Sequence, residues 1–151
     1  MAKPPAVQQT YYYAASPRRV FSALTTPEGL TRWFLERAEI EPREEAPFRF
    51  TWRGGYTMEG KVRAVRPARM VEFAWTDRLP PGKVLKTVAR FELRKSGKGT
   101  LLTLTHRGFK NGRKWVRLYG AVESGWAYYL TNLRAYLEHG MDLRSDRDIL
   151  G

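Results

Sequence analysis

Apolar residues recur along this chain with two different periods, and the changes of period divide it into three stretches. Gln8 to Ala15, with three consecutive tyrosines, reads as a first strand. Two short helices should follow. Ser16-Pro17 supplies an N-cap with proline at the first helical position, where its missing N–H costs nothing. Val20, Phe21 and Leu24 then form an apolar stripe. Thr26-Pro27-Glu28 repeats the start signal, its acid facing the positive end of the helix dipole, ahead of Leu30, Trp33 and Phe34.

From about Glu36 the period becomes two. Phe48, Phe50 and Trp52 alternate with Arg49, Thr51 and Arg53, as a half-buried strand requires. Gly54-Gly55 signals a hairpin, after which Tyr56, Met58, Gly60 and Val62 face one way. Arg66-Pro67-Ala68-Arg69 turns the chain into a strand with Val71, Phe73 and Trp75 on one side. Leu79-Pro80-Pro81-Gly82 is expected to be a loop. A long strand follows, Leu85, Thr87, Ala89, Phe91 and Leu93 opposing Lys86, Arg90 and Glu92. The turn Lys95 to Gly99 leads into a last strand, Thr100 to His106. Short turns between successive strands imply an antiparallel meander, charged on one face and apolar on the other.

Beyond Asn111-Gly112 the period returns to three and four, through Trp115, Leu118, Val122, Trp126, Tyr129, Leu133 and Tyr136 or Leu137. Gly140 after His139 is a helix stop. The order is therefore one strand, two short helices, about six strands and one long amphipathic helix. A single antiparallel sheet cannot bury its inner face alone, so the long helix should cover it. We expect an α+β chain with one domain over residues 1–140 and a solvated tail over 141–151, where Arg144, Asp146, Arg147 and Asp148 sit.

Composition narrows the class. With 151 residues, 42% of them hydrophobic and 13% aromatic, the chain can bury a real core and is not disordered. It has no Cys, no apolar signal core after Met1 and no run of about 18 apolar residues, which together point to the cytoplasm. The net charge of +12 is concentrated between Glu59 and Arg117, where sixteen Lys or Arg stand against four Asp or Glu.

Three segments carry a family resemblance. They are the run from Ala15 (Ala-Ser-Pro-Arg-Arg-Val-Phe) to Trp33, the strand Leu101 to Phe109, and the helix Ser124 to Glu138. They resemble the START-like, or SRPBCC, superfamily, in the branch named after the activator of the ninety-kilodalton heat-shock protein ATPase. The resemblance implies a helix-grip fold, a curved antiparallel sheet of six or seven strands around the C-terminal helix. It also implies a deep cavity for a small apolar molecule between sheet and helix. The co-chaperone activity transfers poorly, because in the eukaryotic activators a separate N-terminal domain engages the chaperone.

On that reading Trp33, Met58, Phe73, Trp75, Phe91, Trp126 and Tyr129 are the candidate cavity walls, against the alternative that these side chains fill the core by themselves. His106 could be a polar contact or a general base, but no carboxylate near it in sequence orients it, so a hydrogen-bonded structural role is favoured. Two isolated histidines make no metal site, and no cofactor is expected. The glutamates at 36, 39, 41, 44 and 45 form a solvated edge, while Glu59 and Glu72 should pair with cations on the exposed outer face. Gly97-Lys98-Gly99-Thr100 lacks the spacing and context of a phosphate loop.

Lys61, Arg63, Lys86 and Arg90 are expected on the outer face of neighbouring strands, and Arg107, Lys110, Arg113, Lys114 and Arg117 around the entry to the long helix. This charge could receive an acidic protein partner or draw an acidic ligand to the cavity mouth. Nucleic acid is disfavoured, since no aromatic platform is interleaved with the cations. Three functions are thereby ordered. Binding of a small apolar or amphipathic molecule comes first, a chaperone-linked interaction module second, and a cyclase- or hydrolase-like enzyme last. Oligomeric state stays open.

Overall fold

A computed structural model describes residues 5–79 and 82–145. Among them the chain forms β1 (Val7–Tyr13), α1 (Pro17–Thr25), α2 (Pro27–Leu30), β2 (Arg37–Glu39), β3 (Pro47–Thr51), β4 (Thr57–Arg66), β5 (Met70–Leu79), β6 (Lys83–Ser96), β7 (Gly99–Arg107) and α3 (Arg113–His139). The seven strands make one sheet in the order β1-β7-β6-β5-β4-β3-β2, antiparallel throughout. The helix-grip architecture that the family resemblance implies is what the chain adopts. Pro80 and Pro81 of the expected loop, and Asp146, Arg147 and Asp148 of the expected tail, lie outside the described residues.

Local chemistry sets the element ends. The Ser16 hydroxyl accepts from the Arg19 N–H at 3.2 Å, capping α1 ahead of Pro17. Thr26 links the two short helices, donating its hydroxyl to the Ser22 carbonyl and accepting from the Gly29 N–H. Gly140 closes α3 in the left-handed conformation, φ 64°, where glycine has no side chain to clash. At Gly60 a Cβ would come within 2.1 Å of the Ala74 carbonyl oxygen and 2.6 Å of the Phe48 ring. Glycine there leaves room for the ring of Phe48, its partner across β3 and β4.

The alternation along the strands sends Phe48, Phe50, Met58, Val62, Val71, Phe73, Trp75, Ala89, Phe91, Leu93, Leu102 and Leu104 into one buried layer. The second layer is α3, and its two halves differ. Trp126, Leu130, Leu133 and Leu137 are buried, whereas between Arg113 and Gly125 no residue of the helix is. The apolar stripe of the sequence runs on through Trp115, Leu118 and Val122, which pack against the core but stay only partly buried.

The buried half is also tied down by hydrogen bonds. The Tyr13 hydroxyl donates to the Leu130 carbonyl at 2.8 Å, Arg134 to the Tyr12 carbonyl and Arg19 to the Leu137 carbonyl. Asn132, 1% exposed, donates its amide to the Trp33 carbonyl and to Asp142, and accepts from the Leu143 N–H. Arg144 reaches the carbonyls of Leu35 and Thr31 and pairs with Asp142. Residues 142–144 were expected in a solvated tail. Asp142 and Leu143 are exposed, but the segment is anchored through Arg144, which donates to carbonyls of the segment after α2. No helix among the described residues is long and apolar enough to cross a membrane.

Candidate functional site

A cleft of about 430 Å³ opens where the partly buried half of α3 stands over the inner face of the sheet. Its helix side is Leu118, Ala121, Val122, Gly125, Trp126 and Tyr129. Its sheet side is Trp52, Tyr56, Trp75, Asp77 and His106, with Phe34 entering from the segment after α2. Local patterns set which way most of these side chains point. The helical residues recur at intervals of three and four on one face of α3, Trp75 and Asp77 are alternate residues of β5, and Trp52 and Tyr56 flank the Gly54-Gly55 turn. In that turn the Trp52 N–H donates to the Tyr56 carbonyl.

The walls are aromatic, their rings packed at tilted or edge-to-face angles. Ring centroids are 5.9 Å apart for Trp52 and Trp75, 5.6 Å for Trp52 and Tyr56, 5.7 Å for Trp75 and Trp126, and 4.9 Å for Phe34 and Tyr129. A second, closed void of only about 10 Å³ lies deeper, among Leu24, Leu30, Trp33, Phe34, Phe50, Phe73, Trp75, Phe91 and Trp126. Phe34, Trp75 and Trp126 border both spaces and therefore form the floor of the cleft. Space of that size holds at most about one water. The deep cavity expected between sheet and helix is thus filled by rings, and what remains open is its outer part.

His106 is the polar centre of the floor and is 2% exposed. The Trp126 indole N–H donates to its Nδ1 at 3.0 Å, and its Nε2 lies 2.7 Å from the Thr87 hydroxyl oxygen. An indole can only donate, so Nδ1 is unprotonated and the proton sits on Nε2, facing Thr87. Burial pushes the imidazole down to about 4 from its usual 6.5. With both nitrogens engaged and the ring neutral, His106 braces Trp126 and has no free nitrogen for proton transfer.

The other polar pair stands at the outer end of the cleft. The Tyr56 hydroxyl donates to Asp77, the next inward residue of β5 after Trp75. Burial pushes the Asp77 carboxyl up, against the hydrogen bonds from Tyr56 and Trp75 that hold it down, and it raises the Tyr56 phenol.

Of the residues nominated from sequence, the structure brings Trp75, His106, Trp126 and Tyr129 to the cleft. Trp33, Phe73 and Phe91 border the closed void instead, and Met58, 2% exposed opposite Phe50, borders neither. Asp77, Tyr56, Trp52, Phe34, Leu118, Ala121, Val122 and Gly125 went unnominated. For Asp77 the signal was present, since the period-two pattern through Phe73 and Trp75 continues to it.

The basic set is dispersed. Lys61 on β4 and Lys86 on β6 are separated by β5, so the expected neighbouring strands are not neighbours. Arg63 falls at a register shift between Val62 and Ala64. Arg90 and Arg107 converge on Glu72, with Arg107 at 2.6 Å, and Arg49 pairs with Glu59 at 2.8 Å. Glu72 was expected to be exposed. It is buried at 5%, beneath the two arginines. Arg113, Lys114 and Arg117 are exposed on the first turns of α3, and no Lys or Arg is among the described residues lining the cleft. Among the described residues no group of His, Asp or Glu could hold a metal ion.

The model of the family described as Activator of Hsp90 ATPase homolog 1-like protein matches residues 14–138. No curated protein matches the chain in sequence. Solved structures that do match share its fold at low identity. Protein MLL2253 from Mesorhizobium loti has a TM-score of 0.79 at 23% identity, covering 90% of this chain and 98% of its own. The Aha1 dimer from Colwellia psychrerythraea has 0.74 at 23%, covering 93% and 98%. CalU16 from Micromonospora echinospora has 0.64 at 23%, covering 86% and 76%.

Proposed function

Since the chain belongs to the Activator of Hsp90 ATPase homolog 1-like family, built on a fold that generally holds small apolar molecules, we propose that it binds one such molecule in the cleft between α3 and the sheet. The observation that carries this reading is the cleft left beside the partly buried first half of the α3 stripe. Leu118 and Val122 face a concave aromatic wall that the protein's own side chains leave open. Apolar surface held in that geometry gains from an occupant at about 25 cal/mol per Å² removed from water. The volume lies within the roughly 300–1,000 Å³ of small-molecule sites.

The polar groups support binding over reaction. His106 spends both nitrogens on Trp126 and Thr87, which fixes the indole as part of the floor. Rigid walls lower the cost of ordering a bound molecule.

The test is native mass spectrometry of gently purified protein, compared with the Gly125→Leu variant. Gly125 lines the cleft and a Cβ there meets nothing within 4 Å, so the larger side chain can enter the open space without clashing. A bound mass lost on denaturation and missing from the variant supports the reading. Equal retention of that mass by the variant overturns it.

A further inference from the structure

Asp77 is the one ionisable carboxylate in a lining that is otherwise aromatic and aliphatic. Among the described residues it has no Lys or Arg ion-pair partner. Its polar neighbours are the Tyr56 hydroxyl and the Trp75 side chain. An ionised carboxylate offers about four acceptor positions, so these two donors leave it acceptor capacity on the cleft side. Burial already works against its charge, and an occupant that closes the cleft removes more water from it. A neutral apolar occupant would leave that group desolvated and unpaired.

The rest of the lining points the same way. Six aromatic side chains, Phe34, Trp52, Tyr56, Trp75, Trp126 and Tyr129, line the cleft, and aromatic rings attract cations over their faces. His106 is neutral, with both nitrogens occupied. An anionic end, which the basic sequence around the helix entry suggested, would meet a carboxylate and aromatic rings here, with no cation lining the cleft among the described residues. Arg107, from that basic set, is turned to Glu72 on the opposite face of the sheet.

We propose that the occupant is an apolar molecule carrying a protonated amine, its N–H donated to Asp77 and its charge resting against the rings of Trp52, Tyr56 and Trp75. This rests on the cleft being the binding site. The net charge of +12 opposes a cation at long range, where salt screens it over about 8 Å. Asp77 acts at contact, where screening is weakest.

Isothermal titration with three probes of one skeleton, naphthylmethylamine, naphthylmethanol and naphthoate, separates this inference from the reading beneath it. The wild type should bind the amine at least about tenfold more tightly than the alcohol, a step of about 1.4 kcal/mol, with naphthoate weakest. In Asp77→Asn, which keeps an oxygen for the Tyr56 hydroxyl, the amine should fall to the level of the alcohol while the alcohol itself is unchanged. Thermal melts of both proteins confirm that the variant is folded. Alcohol or naphthoate binding as tightly as the amine to the wild type overturns the amine inference and leaves the cleft reading standing. So does an amine preference that survives in Asp77→Asn. If none of the three probes binds, or if Gly125→Leu binds them as the wild type does, the cleft reading falls and the amine inference with it.

Discussion

His106, Trp126 and Thr87 hold one another in a single protonation pattern, and that makes the floor of the cleft sensitive to acid. A charged imidazole would present N–H at both nitrogens and lose the Trp126 bond at Nδ1. In the unfolded chain this histidine takes up a proton near 6.5, whereas in the folded protein it does so at about 4. Between those values the unfolded state binds more protons, so stability falls as pH falls. The contribution is complete above about 6.5 and gone by about 4, and amounts to about 3 kcal/mol. Urea midpoints should therefore drop from pH 7 to 5, and His106→Gln should flatten that segment of the profile. Asp77, raised by burial, acts with opposite sign at the acid end, so the window near pH 5 to 6.5 is the one to read.

At the scale of elements, α3 is two helices in one. Its second half is buried and held by Tyr13, Asn132 and Arg134. Its first half begins at Gly112 without a side-chain cap and with no acid in the first turn. Arg113, Lys114 and Arg117 there face the positive end of the helix dipole, which is unfavourable. Hydrogen exchange should accordingly be faster over residues 113–125 than over 126–139, and an occupant of the cleft should slow the first segment more than the second. Gly120, exposed and with open space at its Cβ, lowers the propensity of that same half. Gly120→Ala should raise stability by about 0.5–1 kcal/mol in chemical melts without changing cleft binding, since Gly120 does not line the cleft.

Across the whole molecule, charge is unbalanced even though many arginines are paired. Glu72 pairs with both Arg90 and Arg107 on the outer face, Glu59 takes Arg49, and Asp142 takes Arg144. Lys61, Arg63, Lys86, Arg113, Lys114 and Arg117 stay exposed. The surplus of +12 repels itself in the compact state. The melting temperature should rise as sodium chloride goes from about 50 to about 500 mM, because the Debye length shortens from over 10 Å to a few Å. A flat or falling response would mean that specific pairs, not net repulsion, dominate the surface electrostatics.

The architecture was legible because each of its rules is local. Proline after Ser16 and Thr26, alternation through Phe48, Phe50 and Trp52, the turns at Gly54-Gly55 and Gly97-Lys98, and the stripe ending at Gly140 each depend on a few neighbouring residues. Together they leave one way to bury a single sheet. The site depended on distances between elements, which no local rule contains. Trp33, Phe73 and Phe91 have the same inward pattern as Trp75 and Trp126, and only their packing closes the space around the first three and leaves the cleft beside the others. Asp77 carried a readable inward position, but its meaning came from tertiary structure. A cleft stays open between the first half of α3 and the sheet, so that position lines an aromatic wall with no cation beside it among the described residues. Alternation fixes which way a side chain points, whereas the gap between two layers is set by all the side chains that meet there.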